Sequence, residues 1–109
     1  MSFELSLHNI GIKTIAPGAV ATDFTSRSMD KSLHPAYQPL EEKLFSMMDA
    51  MMDVSMHAME LAEVVYEAAT DGKDQIRYFA GEDSKAMYSR RMELGSEDFR
   101  KEIRQQFLD

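Results

Sequence analysis

Apolar residues in this chain fall into two short runs and several stretches at helical spacing. The first run, Ile12 to Ala16, carries two isoleucines and a threonine and stops at Pro17-Gly18. The second, Gln75 to Ala80, holds Ile76, Tyr78 and Phe79 and stops at Gly81. β-Branched and aromatic residues in runs this short, closed by Pro or Gly, predict strands over 12–16 and 75–80. Between them, Leu40, Leu44, Met47, Met48, Met51 and Met52 form a helical stripe over 39–53, with Pro39 in the first turn. Ser55 is placed to cap a further helix over 56–70, with Ala58, Leu61, Ala62, Val65, Ala68 and Ala69 facing the core. After Gly81, a helix from Glu82-Asp83-Ser84 to about Leu94 is predicted. A last one succeeds it, capped by Ser96, with Phe99, Ile103 and Phe107 on one face.

Upstream of the first strand, Ser2 to Asn9 reads as the end of a helix, closed by Asn9 or Gly11 in the left-handed conformation. Thr22 to Gln38 is a polar stretch in which Thr22 or Asp23 caps a short helix through Met29 and His34-Pro35 is extended. Strand, helix, strand with the helix as crossover is a βαβ unit, so the two strands should be parallel. Parallel strands are normally buried on both faces, and two alone do not make a stable sheet. The chain therefore predicts an α/β fold, mostly helical by residue count: one edge of a larger parallel sheet.

Composition narrows the chemistry. The 109 residues carry a net charge of −7 and no Lys/Arg cluster, which disfavours nucleic acid as a partner. With no cysteine, thiolate catalysis, disulfides and Cys-based metal sites are excluded, and a cytoplasmic setting is expected. No run approaches the roughly 20 apolar residues that span a bilayer, and no membrane partner is expected. Of ten methionines, six lie between Met47 and Met59. At helical spacing beside Leu40 and Leu44 they read as core or lid residues rather than a groove for partner helices. His8, His34 and His57 are scattered and read as surface or helix-terminal residues, so no metal site is expected. Asp23 and Ser26 lie near the first turn, but a serine without a base is not a nucleophile.

GIKTIAPGAVATDF, residues 11–24, resembles the sixth strand and Pro-Gly turn of the short-chain dehydrogenases/reductases. SFELSLHN resembles the end of the family's long helix that carries Tyr-x-x-x-Lys. SMHAMELAEVVYEAAT resembles the helix before the last strand, and QIRYFAGEDSKAMYSRR resembles that strand and the segment after it. The likeness implies a C-terminal, partial Rossmann-like domain over 1–109, with the substrate-binding lid at residues 22–54. It implies an oxidoreductase of alcohols or carbonyls using NAD or NADP, commonly a homo-oligomer. It also implies that Pro17, Gly18, Val20 and Thr22 meet the cofactor: Val20 through backbone groups to the nicotinamide carboxamide, Thr22 through its hydroxyl near the carboxamide or the pyrophosphate. The family's glycine-rich turn, Asn-Asn-Ala-Gly and Tyr-x-x-x-Lys are absent from the chain. No catalytic residue is therefore assigned, and the chain alone is expected neither to bind NAD(P) nor to turn over. The alternative expectation is a non-catalytic α/β module that associates with itself through the unpaired strand edge.

Overall fold

In a computed structural model, which describes residues 1–108, the two apolar runs lie side by side. Strand β1 (Thr14–Pro17) pairs in parallel with β4 (Arg77–Ala80), Thr14 opposite Arg77 and Pro17 opposite Ala80. Each strand begins about two residues later than its apolar run. Ile12 and Ile76 lead into the pair, and the Thr14 N–H donates across it to the Ile76 carbonyl. Helices come in the expected order: α1 (Ser2–Ser6), α2 (Gln38–Met52), α3 (Ala58–Thr70), α4 (Glu82–Leu94) and α5 (Ser96–Leu108). The protein is α/β and mostly helical, as its sequence pattern predicts.

A second parallel pair, which the sequence pattern does not predict, joins β2 (Val20–Ala21) to β3 (Met56–His57). It relocates the start of α3. Pairing holds His57 extended at φ −73° and ψ 149°, so the helix begins at Ala58 and His57, not Ser55, is its cap. The His57 N–H donates to Glu60 Oε2 at 2.7 Å, and the imidazole accepts from the Glu60 N–H, a reciprocal capping box. Ser55 instead donates its hydroxyl to the Met52 carbonyl at 2.7 Å, closing α2. Ser96 likewise lies inside α5, and the Gly95 carbonyl accepts the first helical bond from Phe99 at 3.1 Å. The N-terminal helix stops at Ser6, and Asn9 takes the left-handed conformation at φ 57°.

Helices cover both faces of the β1–β4 pair. Tyr78 and Ala80 point to one face and are buried together with Ala68 of α3. Phe79 points to the other, its ring 4.5 Å from that of Tyr88 on α4. The inward stripe of α3 is Leu61, Val64 and Ala68, spaced at i, i+3 and i+7, rather than the broader face expected. Ala62, Val65 and Ala69 turn outward, beside exposed Met59 and Tyr66. At the N-terminal ends of the strands, Asp71 of the α3 C-terminus accepts from the Tyr78 hydroxyl and lies 3.6 Å from Lys13 Nζ.

The surface is large for the mass. The chain exposes 8811 Å², whereas a compact monomer of its size exposes roughly 6,100 Å². Its radius of gyration is 17.3 Å, against about 13 Å for a compact domain of this length. Part of the excess lies at β1. The Thr14 and Gly18 N–H groups donate to Ile76 and Ala80. Strand alternation therefore turns the backbone groups of Lys13, Ile15 and Pro17 to the opposite edge. Among the described residues no strand pairs there.

Candidate functional site

Beyond the carboxyl ends of β1 and β4 the chain closes around a cavity of about 400 Å³, within the range of small-molecule sites. Pro17, Gly18, Val20 and Thr22, the four residues singled out in the sequence, all line it. Opposite them stand Met48, Met51 and Met52 of α2 and Met87 of α4. The methionine stripe is thus a wall of this cavity, and Phe24 adds an aromatic side. Asp83 is the one charged side chain in the lining.

The turn from Pro17 to Ala21 is held by backbone bonds that can be traced group by group. The Gly18 N–H donates to the Ala80 carbonyl at 2.9 Å. The Ala19 N–H donates to Asp83 Oδ2 at 2.8 Å, and the Ala19 carbonyl accepts from the Met56 N–H at 3.0 Å. In a parallel pair of this register, Ala19 and Ala21 serve β3. The N–H and C=O of Val20 therefore face the edge of β2 away from β3. This leaves a donor and an acceptor side by side on a residue that lines the cavity.

Asp83 reaches the turn from the head of α4. Gly81, at φ 96°, adopts a conformation that side-chain-bearing residues rarely take, and it redirects the chain from β4 into the helix. Asp83 then sits in the first turn, where a negative charge is favoured, and its Oδ1 accepts from the Ser84 N–H at 2.9 Å. The Ser84 hydroxyl is shared between the Ala80 and Gly81 carbonyls at 3.0 and 3.1 Å. A Cβ built on Gly18 would fall within the Asp83 carboxylate. The room that glycine leaves in this turn is taken by that side chain.

Thr22 is exposed, and its Oγ1 lies 3.4 Å from the Phe24 N–H that it caps. From there residues 24–28 form a single π-helical turn, with Asp23 and Arg27 paired at 3.3 Å. His34 is extended at φ −133° and caps a 3-10 turn over Pro35–Tyr37, its Nδ1 accepting from the Ala36 N–H at 3.2 Å. A separate cavity of about 370 Å³ lies between Leu33 and Phe45, and none of Pro17, Gly18, Val20 and Thr22 lines it. Among the described residues, no three His, Asp or Glu side chains converge as metal ligands. No helix there is long and apolar enough to cross a membrane.

A primary carboxamide presents one acceptor and one donor along one edge, and the paired groups of Val20 complement it. The lining beside that edge is mostly apolar. The same residues do not suit a phosphate. The helix head nearest the turn carries Glu82 and Asp83, which would repel one.

The sequence is 28% identical over 82 residues to two uncharacterized oxidoreductases of the fission yeast Schizosaccharomyces pombe. The match takes in 75% of this chain but only 35% of each yeast protein, so the chain spans about a third of the length of the curated relatives it matches. No family profile matches it, and no solved structure does. The cavity beyond the parallel strands and the likeness to proteins named as oxidoreductases are independent observations.

Proposed function

We propose that this chain forms the nicotinamide-side wall and substrate lid of an NAD(P)-dependent oxidoreductase of the short-chain dehydrogenase/reductase kind, acting on alcohols or carbonyls. The observation that carries the reading is the N–H and C=O pair of Val20, turned away from β3 and without a partner among the described residues, at the rim of the cavity. The yeast relatives, named as oxidoreductases, support it. Nicotinamide dinucleotides, when bound, supply the hydride transfer itself. What this chain contributes is position. Val20 holds the carboxamide edge, and Thr22 stands at the exit of the turn. Met48, Met51, Met52 and Met87 offer the ring an apolar wall and adapt to the substrate. The proton at the substrate oxygen and the grip on the phosphates belong to residues outside this chain. Alone, it is proposed to be inactive and, without the grip on the phosphates, to bind NAD or NADP no better than free nicotinamide, a weak ligand that is therefore added in large excess in the tests.

Two measurements test this. The chain with NADH or NADPH and a panel of carbonyls gives no turnover, and measurable turnover would remove the claim of dependence on other residues. Nicotinamide added to chain labelled in its methionine methyl groups shifts the signals of Met48, Met51, Met52 and Met87. Met59 and Met92, both exposed and outside the cavity, stay still. Uniform or absent shifts would count against the site.

A second reading is favoured by a different observation. The outward stripe of α3 and the open edge of β1 belong to the excess surface, and a helix apolar on two sides is normally covered. A second copy of the chain is the occupant we propose, consistent with a homo-oligomer.

A further inference from the structure

We infer that Asp83 is the positioning residue of the Pro17–Val20 turn, acting through the backbone rather than on any ligand. Three features converge on its carboxylate. One oxygen accepts the Ala19 N–H at 2.8 Å, and the other accepts the Ser84 N–H at 2.9 Å. The group also occupies the volume that any side chain at position 18 would need. Asp83 and Ala19 are 64 residues apart, so this bond ties the loop after β1 directly to the head of α4.

The consequence concerns Val20. With the Gly18 N–H on Ala80, the Ala19 N–H on Asp83 and the Ala19 carbonyl on Met56, the peptide groups before Val20 are fixed from three sides. Their orientation sets where the Val20 N–H and C=O point. Without the carboxylate, the Ala19 N–H loses its acceptor and the turn is held by β4 and β3 alone. It then samples conformations in which the Val20 pair no longer lies parallel to a carboxamide edge. Glycine at position 18 is thus a requirement of the carboxylate. Gly18 is not among the residues of positive φ, so its backbone would accept a side chain if the space were free. What is being positioned rests on the reading of Val20 as the ligand-facing residue; that Asp83 positions it does not.

The test is site-resolved amide hydrogen exchange on the full chain, with nicotinamide binding read separately. In the wild type the Ala19 amide is protected. In Asp83→Ala its exchange rises by on the order of tenfold or more, the loss of a charge-assisted bond, while amides of α3 and β4 keep theirs. Asp83→Asn keeps one acceptor in place of two, so it can serve the Ala19 N–H only by giving up that of Ser84, and Ala19 exchange is expected between that of the wild type and that of Asp83→Ala. Gly18→Ala expels the carboxylate and deprotects Ala19 as Asp83→Ala does. The double variant is then no worse than either single one, because the two share one consequence. Unchanged Ala19 exchange in Asp83→Ala overturns the inference, as does a double variant whose effects add. Should Asp83→Ala fail to fold, Gly18→Ala still decides: it must deprotect Ala19 while the amides of α3 and β4 keep their protection, and an unchanged Ala19 amide overturns the inference. Nicotinamide affinity should fall in Asp83→Ala and fall less in Asp83→Asn. If nicotinamide never moves Val20 yet Ala19 behaves as described, the proposed site fails and the positioning role stands.

Discussion

A second copy as the cover of the excess surface, the occupant proposed above, predicts that dilution loosens this protein by an amount that can be worked out. The chain exposes 8811 Å², roughly 2,700 Å² more than a compact monomer of its mass. Two chains that cover this excess against each other would bury about 5,000 Å² in total, the upper end of obligate homodimer interfaces. A folded state completed by a second copy gains stability by mass action, about 1.4 kcal/mol per dimer for each tenfold rise in concentration. A dimer of this size unfolds with an entropy of roughly 0.45 kcal/mol per kelvin. The midpoint should therefore climb by about 3 °C per decade of concentration. Thermal unfolding monitored by circular dichroism over a hundredfold concentration range should show a rise of about 6 °C. Sedimentation velocity should show the faster species at the concentrated end. A monomer at both ends, with one cooperative midpoint that does not move, would exclude a second copy as the cover for this surface.

Two further predictions test the ends of the β1–β4 pair. Ile15→Pro removes a donor from the open edge only, so association should weaken while the pair persists; Ala16→Pro removes a ladder bond to β4 and should unfold the chain. Equal circular-dichroism losses for both would contradict the assigned register. At the other end, the Tyr78 hydroxyl, and after it the Lys73 N–H, hold the Asp71 carboxyl below its ordinary value of 3.8. A depressed carboxylate stabilises the fold fully above its unfolded pKa, and the contribution fades as pH falls through the lower, folded value. Melting points taken from pH about 5 downward should therefore fall more steeply for the wild type than for Asp71→Asn, and parallel acid limbs would rule this out.

Much of this was legible in the sequence because it rests on local signals. Ile12 to Ala16 before Pro17-Gly18, and Gln75 to Ala80 before Gly81, announce strands through side-chain type and turn chemistry alone. The four expected cofactor residues and the methionine stripe line one cavity because the parallel pair brings their ends together. What escaped depends on contacts between distant residues. Val20–Ala21 and Met56–His57 are two residues each, too short for any periodicity, and methionine and histidine are weak strand signals. That pairing moved the α3 cap from Ser55 to His57. Asp83 stands out in the sequence only as a charge suited to a helix start. Its proximity to Gly18 follows from the pairing of β1 with β4, which no local signal in the sequence carries.

The most direct test of the proposed function is the amide resonance of Val20 during titration with nicotinamide. A progressive downfield shift of the Val20 N–H is predicted, with smaller changes at Ala19 and Ala21, whose groups are already bonded within the turn and β3. N,N-diethylnicotinamide, which lacks the carboxamide donor and crowds that edge, should leave Val20 where it is. A Val20 signal that ignores nicotinamide, or answers both compounds alike, would contradict a carboxamide-reading edge in this chain.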